Sequence, residues 1–355
     1  MTKPLFDRIA ELEMQVDGYQ LESRELDTEG GWVRKSTLVR LQGGGLEGVG
    51  EDVTYQVEDQ EWFQQQGPKF ALPKRASLSG FSRGLDPFDL FSGRAPADPA
   101  ARLYRRWAFE SAALDLALQQ NGLSLAKALD LEPGKLRFVA SLGLDPAGDL
   151  APIHLRLEHN PDLEFKVDFA ADWTADTVRQ LAATGRVRTV DLKGQYRGAF
   201  RGPAAVPALY RLVAETMEDC WLEDPDWSPT SREALAPFQD RITWDAVLHS
   251  LADIDQRPNW QQCVNIKPSR FGYLSELFRV YEYCQRRGLM MYSGGQFELG
   301  PGRDQIQYLA ALFHPDSPND CAPRIYNRSP LPEDLSSSPL NLSLSPTGFR
   351  LTPCS

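Results

Sequence analysis

A series of charged residues, each ending a short apolar segment, recurs through the second half of the chain. Its members are Lys166, Asp191, Glu223, Asp245 and Lys267, at intervals of 25, 32, 22 and 22 residues. One strand, one helix and their two loops take about 30 residues, so each charged residue is predicted to end a β-strand in a repeating strand–helix fold. If such strands close into a barrel, three carboxylates and two ammonium groups meet at one rim.

The residues around this series alternate between strand and helix patterns. EFKVDF (164–169) is an apolar strand candidate, whereas DWTADTVRQLAATG (172–185) has helical periodicity and a glycine stop. From residue 135 onward the pattern contains eight strand candidates with crossovers between them, the last at 322–327. This alternation predicts an α/β fold of the (β/α) barrel type.

The first part of the chain follows a different pattern. Residues 36–55 read as two strands joined by a glycine-rich turn, and residues 102–129 form a strong helical pattern. An antiparallel sheet followed by helices predicts an α+β domain. The predicted division is an α+β domain at 1–132, the barrel at 133–327, and a tail at 328–355 that packs back on the first domain.

Composition argues against several classes of protein. The net charge of −11 argues against partners that need basic patches, such as nucleic acid or an anionic membrane surface. The chain has no apolar run of about 18 residues and no apolar signal-peptide core at its start. Five cysteines without a CxxC pair indicate neither a disulfide framework nor a zinc site. We therefore expect a cytoplasmic protein without nucleic-acid or membrane partners.

The charge series has a chemical interpretation. Three carboxylates brought together repel one another unless a cation lies among them, and hard oxygen ligands suit Mg²⁺. Lys166 and Lys267 precede and follow the carboxylates by one strand, so a barrel would place them on opposite sides of the metal. A lysine in a dry pocket near another cation can act as a base. Single charges at strand ends are usually solvated, and the hypothesis depends on the whole series.

Several motifs, taken in order, resemble the enolase superfamily, of the muconate-cycloisomerase and mandelate-racemase type and its o-succinylbenzoate synthase-like branch. The resemblance covers nearly the whole chain. Its segments are LEGVGED (46–52), RRWAFESAALDLALQQNGLSLAKAL (105–129), RITWDAVLHSLADI (241–254), NIKPSRFGY (265–273) and SGGQFELGPGRDQIQYLAALFHP (293–315).

The resemblance implies an α+β capping domain and a (β/α)₇β barrel of the TIM type. It also implies an isomerase or lyase that removes the proton α to a carboxylate while Mg²⁺ stabilises the enediolate. Asp191, Glu223 and Asp245 match the metal ligands, and Lys267 matches the sixth-strand lysine. The expected partner is a small carboxylate substrate, and the resemblance is compatible with a homo-oligomer.

Two registers are open for the second-strand Lys-x-Lys motif. Counting back from the helix start near residue 172, Lys166 matches the second, catalytic lysine and Glu164 replaces the first; this is the preferred register. In the other, Asp168 replaces the catalytic lysine. Residues 164, 166 and 168 share one strand face in either register.

Departures from the family pattern leave the reaction open. Lys193 stands where the family usually has asparagine, two residues after the third-strand aspartate, and Ala246 replaces a glutamate. Glu298 matches a seventh-strand acid and is a candidate substrate contact or helix-capping charge. Two functions are therefore carried forward. One is an Mg²⁺-dependent racemase, epimerase, cycloisomerase or syn-dehydratase, and the alternative is a non-catalytic or repurposed barrel whose metal site is altered by Lys193.

Overall fold

The structure is a computed structural model that describes residues 3–28, 31–144, 148–197, 201–258, 260–328 and 330–352. Within these ranges, none of the helices combines the length and the apolar character that a membrane crossing requires.

The N-terminal part contains an antiparallel sheet of three strands in the order β2–β3–β4, and a separate antiparallel pair, β1–β5. The strands are β1 (Glu13–Gln15), β2 (Gly18–Asp27), β3 (Val33–Gly43), β4 (Leu46–Asp52) and β5 (Arg75–Ser77). The helices are α1 (Leu5–Ile9), α2 (Val57–Gln66), α3 (Leu78–Leu85), α4 (Ala101–Gln120) and α5 (Leu125–Leu129).

Helix α4 packs directly against β4, and two glycines make this approach possible. A Cβ on Gly48 would lie 2.2 Å from the carbonyl oxygen of Ala112, and one on Gly50 would lie 2.0 Å from that of Ala108. Only glycine therefore lets the strand reach the helix backbone. This contact explains the glycines of the LEGVGED segment.

The second part alternates strands and helices. Its strands are β6 (Val139–Gly143), β7 (Glu164–Asp168), β8 (Val187–Asp191), β9 (Trp221–Glu223), β10 (Ile242–Thr243), β11 (Cys263–Ile266) and β12 (Met290–Ser293). Its helices are α6 (Ala151–His159), α7 (Ala175–Ala183), α8 (Pro207–Thr216), α9 (Pro229–Leu235), α10 (Leu251–Asp255), α11 (Pro268–Phe271), α12 (Leu274–Arg287) and α13 (Pro301–Phe313), with 3₁₀ turns at Ala236–Arg241 and Arg324–Asn327.

The strands of this part are parallel. Five form one sheet in the order β10–β9–β8–β7–β6, and β11 pairs with β12. The backbone N–H of Asn265 on β11 donates to the carbonyl of Trp244 just after β10, at 3.1 Å. The predicted α/β alternation with a parallel sheet is thus confirmed.

The last predicted strand is misplaced. Residues 322–327 contain a 3₁₀ turn, Arg324–Asn327, that follows Pro323, which has no N–H to donate to a sheet. Strand-like pairing occurs earlier instead: Asn319 forms a parallel bridge with Phe138 on one side, and Asp320 forms one with Gly294 on the other.

Glu51, at the end of β4, joins the two parts. Its buried carboxylate accepts hydrogen bonds from the Ser36 hydroxyl at 2.6 Å and from the N–H groups of Leu299 at 2.7 Å, Gly300 at 3.0 Å and Gly302 at 3.0 Å. These donors lie at the start of α13, where an anion is favoured by the helix dipole. The N-terminal sheet therefore anchors the loop before α13.

His314, at the end of α13, is buried in its neutral form. Asn319 donates its amide N–H groups to backbone carbonyls, including those of Arg137 and Ser317, and its oxygen accepts from the N–H of Ser293. That oxygen lies 2.7 Å from His314 Nδ1, so Nδ1 carries the proton. Nε2 is buried without a partner, and burial lowers the pKa of His314 to about 4.

This pKa predicts acid sensitivity. The pKa of His314 in the folded protein lies below the ordinary value of 6.5. The neutral ring therefore makes its full contribution to the free energy of unfolding above pH 6.5. As the pH falls towards 4, this free energy decreases by about 3 kcal/mol. We expect His314→Gln to reduce the difference in melting temperature between pH 7.5 and pH 4.5. His154→Gln, at an exposed position on α6, is the matched control. An unchanged pH dependence in His314→Gln would contradict the assignment.

Candidate functional site

A cavity of about 280 Å³ lies at the carboxyl ends of β6, β7 and β8, against the loop before α13. Its charged lining residues are Arg156, Lys166, Asp168, Asp191, Lys193, Lys267, Arg303 and Asp320, and its aromatic ones are Tyr55, Tyr196, Phe297 and Tyr326. Strand ends in this type of fold are where active sites are built.

Lys166 lies on β7, and its side chain is 3% exposed. Its ammonium group contacts the carboxylate of Glu223 on β9 and lies 3.5 Å from that of Asp191 on β8 and 3.4 Å from that of Asp320. Burial lowers the pKa of Lys166, but these three carboxylates together raise it well above its usual value. One ammonium thus compensates charges from three neighbouring segments.

Glu223 is fully enclosed by protein donors. One oxygen accepts from Lys166, and the other accepts from the Tyr292 hydroxyl and from Asn265 Nδ2 at 3.4 Å. Burial, with added repulsion from Asp191 and Asp245, raises the pKa of Glu223 to about 8, against the opposing effect of Lys166. The protonated form of Glu223 is therefore favoured in this buried setting.

Asp245 follows β10 and has one occupied and one unpartnered oxygen. Oδ2 lies 2.8 Å from Lys267 and 3.3 Å from Arg270, and accepts from the Tyr196 hydroxyl at 3.1 Å. Burial opposes ionisation, but Arg270 and Lys267 hold the pKa of Asp245 below its usual value. Oδ1 is buried without a hydrogen-bond partner.

Asp224, next to Glu223, positions the loop that carries Asp245. It accepts the backbone N–H groups of Asp245 at 2.9 Å and Ala246 at 2.8 Å. Burial and the charges of Asp245 and Asp191 raise the pKa of Asp224 to about 7. The backbone φ of Asp224 is 48°, a value that residues other than glycine rarely adopt.

Asp191 is held by two lysines. Its Oδ2 lies 2.9 Å from the ammonium of Lys193, and its Oδ1 accepts the Lys193 backbone N–H at 3.0 Å. The same ammonium lies 3.0 Å from Asp168. Although burial raises it, Lys193 and Lys166 lower the pKa of Asp191 to about 2. Asp168, Asp191 and Lys193 therefore form one ion-paired group.

Four predicted site residues do not line the cavity: Glu223 and Asp245 contact its lysines from behind, and Glu164 and Glu298 lie apart from the cluster. Glu164, at the start of β7, pairs with Arg137 at 2.7 Å and Arg188 at 2.6 Å. It lines a separate cavity at the opposite end of the strands. Glu298 lies beneath the loop before α13, where it accepts the N–H of Gln296 at 2.5 Å and pairs with Arg303 at 3.0 Å. Glu298 thus reaches the cavity only through Arg303.

The structure also brings in residues that the sequence analysis missed. Asp224 and Arg270 stand beside predicted residues in LEDPD and IKPSR, so their motifs offered a signal. Tyr196, Tyr292 and Asp320 contact the cluster from positions outside the charge series.

The carboxylate cluster has the donors that Mg²⁺ takes, although protein cations now contact them. Among the described residues, no three His, Cys, Asp or Glu side chains are arranged to hold a metal ion as they stand. The Oδ1 atom of Asp245 is buried without a hydrogen-bond partner, which leaves one carboxylate oxygen of the cluster to ligate a cation. Carboxylate oxygens are preferred Mg²⁺ ligands, so the donor chemistry fits that ion.

Two curated relatives match this chain. The o-succinylbenzoate synthase of Bacillus subtilis (strain 168) is 25% identical over 219 residues, 59% of this chain and 57% of that protein. The N-succinylamino acid racemase of Thermus thermophilus is 24% identical over 324 residues, 86% of this chain and 85% of that protein. The match to the synthase thus spans less than two-thirds of its length.

Solved structures share the fold. An enolase superfamily member from Listeria innocua has a TM-score of 0.63 at 18% identity and covers 87% of this chain and 86% of its own. A dipeptide epimerase from Methylococcus capsulatus, complexed with an Mg ion, has a TM-score of 0.59 at 20% identity, covering 86% and 89%. Together with the relatives, these matches confirm the resemblance to the enolase superfamily.

A two-part family description also matches the sequence. It is "Domain of unknown function (DUF8230)", whose N-terminal domain matches residues 7–128 and whose C-terminal domain matches residues 132–328.

Removal of the Lys166 ammonium tests the charge arrangement. We expect Lys166→Met to lower the free energy of unfolding by about 3–5 kcal/mol in metal-free buffer, because it leaves buried carboxylates uncompensated. Denaturant unfolding at pH 7.5 measures this difference. Lys127→Met, on the exposed side of α5, controls for loss of a lysine. Equal stability of Lys166→Met and the wild-type protein would contradict the described ion pairs.

Proposed function

The chain belongs to the DUF8230 family, and we propose that it catalyses an enolase-type reaction in which the proton α to a substrate carboxylate is removed. The observation that carries this proposal is the placement of Lys166 and Lys267 on one cavity, with Asp191, Glu223 and Asp245 between them in strand order. Such an arrangement can hold an anionic intermediate and exchange a proton with its carbon.

Lys267 is proposed as the residue that takes or returns the proton. It directly follows β11, and its side chain is 7% exposed and anchored by Asp245. Gly294 on the neighbouring segment packs against it, since a Cβ there would lie 2.5 Å from Lys267 Cε. The lysine is therefore confined to one approach, as proton transfer at a fixed carbon requires.

Lys166 is proposed to act on the other side of the substrate. Its ammonium is fixed by three carboxylates, so it supplies a positive charge next to the place where the enediolate forms. The racemase and synthase names of the relatives support racemisation, epimerisation, cycloisomerisation or syn-dehydration of a small carboxylate.

Asp191, Glu223 and Asp245 are the residues that would hold Mg²⁺, and the dipeptide epimerase of similar fold is complexed with an Mg ion. When bound, the ion would supply Lewis-acid stabilisation of the substrate carboxylate. Lys166 contacts Glu223 and Lys267 contacts Asp245, so the two lysines hold these side chains close to the cavity.

We also propose that the strands form a closed (β/α)₇β barrel capped by the N-terminal α+β domain. Hydrogen bonding between Asn265 and Trp244 supports a join between β10 and β11. The bridges of Asn319 to Phe138 and of Asp320 to Gly294 support a join between β12 and β6. Tail contacts support packing against the capping domain, since the Phe349 N–H donates to Asp115 at 2.8 Å.

A second candidate function is ligand binding without metal or turnover. The observation that favours it is that each carboxylate of the predicted triad already contacts a lysine: Asp191 contacts Lys193, Glu223 contacts Lys166, and Asp245 contacts Lys267.

Solvent deuterium exchange tests the reaction. In D₂O with Mg²⁺, we expect the wild-type protein to incorporate deuterium at the α-carbon of at least one member of a panel of N-succinylamino acids and dipeptides. Lys267→Met should slow this exchange by about 10²–10⁴-fold, because the proton acceptor is lost. Proton NMR follows the loss of the α-proton signal, and Lys135→Met, at the opposite cavity, is the control. No exchange by wild-type protein with any panel member would count against the reaction.

Metal titration separates the two candidate functions. We expect isothermal titration calorimetry to show one Mg²⁺ site in the wild-type protein and none in Asp191→Asn, because a carboxylate ligand becomes a weak amide donor. Glu164→Gln, which changes a carboxylate outside the cluster, should bind Mg²⁺ as the wild type does. Absence of Mg²⁺ binding to the wild type would favour the metal-free function.

A further inference from the structure

We propose that the ammonium group of Lys193, oriented by Asp168, binds an anionic carboxylate of the substrate at the mouth of the cavity. This inference rests on the proposed function, because it assigns the substrate contact of the same site. Lys193 is then a specificity-determining residue, and Asp168 holds its ammonium group in the free protein and competes with the substrate for it.

Accessibility singles out Lys193 among the three lysines that line the cavity. Its side chain is 29% exposed, compared with 3% for Lys166 and 7% for Lys267. A ligand that enters from solvent therefore meets the Lys193 ammonium before the two buried ones. Partly buried ammonium groups bind carboxylates through charge-assisted hydrogen bonds.

The backbone of Lys193 is held in an unfavourable conformation. Its φ is 49°, in the left-handed region that costs a residue with a Cβ roughly 1–2 kcal/mol. Asparagine, which the superfamily resemblance leads us to expect at this position, tolerates that region better. A lysine at this position therefore destabilises the folded protein. Backbone strain of this kind is concentrated at functional sites.

Close contacts of neighbouring glycines fix this conformation. The Gly194 N–H donates to the carbonyl of Asp224 at 2.7 Å. Gly202 packs on the other side, where a Cβ would lie 1.9 Å from the Lys193 carbonyl oxygen. The loop is thus built around the Lys193 backbone, which directs the side chain to Asp168 and Asp191.

Strand register explains the role of Asp168. In the pairing of β7 with β8, Asp168 lies beside Asp191, whereas Lys166 lies beside Thr189, two residues earlier on each strand. This pairing favours the register in which Asp168 occupies the position of the second lysine of the motif. The ammonium expected at the end of β7 is then supplied from the loop after β8, and Asp168 holds it at 3.0 Å.

A bound anion would take the Lys193 ammonium from its two carboxylate partners, Asp191 and Asp168, and both tolerate this loss. Asp191 keeps other donors, namely Lys166 and the backbone N–H of Lys193 itself. Asp168 has a side chain that is 35% exposed and remains hydrated when its ion pair opens. A substrate carboxylate can therefore compete for the ammonium without leaving a buried charge uncompensated.

Opposite effects of two substitutions test the proposal. The probes are o-succinylbenzoate and N-succinylphenylalanine, titrated by calorimetry in Mg²⁺ buffer. We expect Lys193→Asn to weaken binding by about tenfold or more, because a charge-assisted contact is lost. Lys193→Arg should bind within a few-fold of the wild type. Asp168→Asn should tighten binding by about two- to fivefold, because it removes a competing carboxylate.

Lys135→Asn is the matched control for loss of a lysine, and it should bind as the wild type does. Melting temperatures should show that Lys193→Asn remains folded, because asparagine tolerates the left-handed backbone at this position.

Three results would overturn the inference: wild-type affinity in Lys193→Asn, weaker binding in Asp168→Asn, or no saturable binding of either probe by the wild type. Deuterium exchange by the wild type together with unchanged binding in Lys193→Asn would defeat this inference and leave the proposed reaction standing. If binding follows the expected pattern but the wild type shows no deuterium exchange, the Lys193 contact stands and the proposed reaction fails.

Discussion

The arrangement at the rim depends on the buried ammonium of Lys166. It compensates carboxylates from β8, β9 and the segment at Asp320, of which those on β8 and β9 are buried. A buried carboxylate without a partner is costly, whereas one ammonium in good geometry serves several. The strands are therefore held together at their carboxyl ends by charge as well as by the apolar residues beneath them.

The charged groups at the rim are paired with one another, and the Oδ1 atom of Asp245 is left without a hydrogen-bond partner. Three residues around the cavity, Lys193, Asp224 and Phe297, adopt positive φ without being glycine. Strain of this kind persists only where surrounding contacts over-determine the backbone. The site thus combines local instability with a rigid surrounding structure.

Residues of the N-terminal part hold one wall of the cavity in place. The buried guanidinium of Arg34 on β3 donates to the carbonyls of Gln296 at 2.9 Å and Phe297 at 3.1 Å, as well as to those of Val53 and Thr54. Together with Glu51, it fixes the loop before α13 that forms one wall of the cavity. The cavity wall is consequently held by elements that lie far apart in the sequence.

By itself, the sequence determined the alternation of strands and helices and the grouping of Asp191, Glu223, Asp245, Lys166 and Lys267, because strand length and apolar spacing set which residues end a strand. The sequence also determined which residues of β7 share a face, but not which of them lies at the cavity end of the strand. Only the tertiary structure decided that Glu164 lies at the far end, that Asp168 is level with Asp191, and that Lys193 and Asp320 join the cluster, since register and loop path arise from contacts between distant segments.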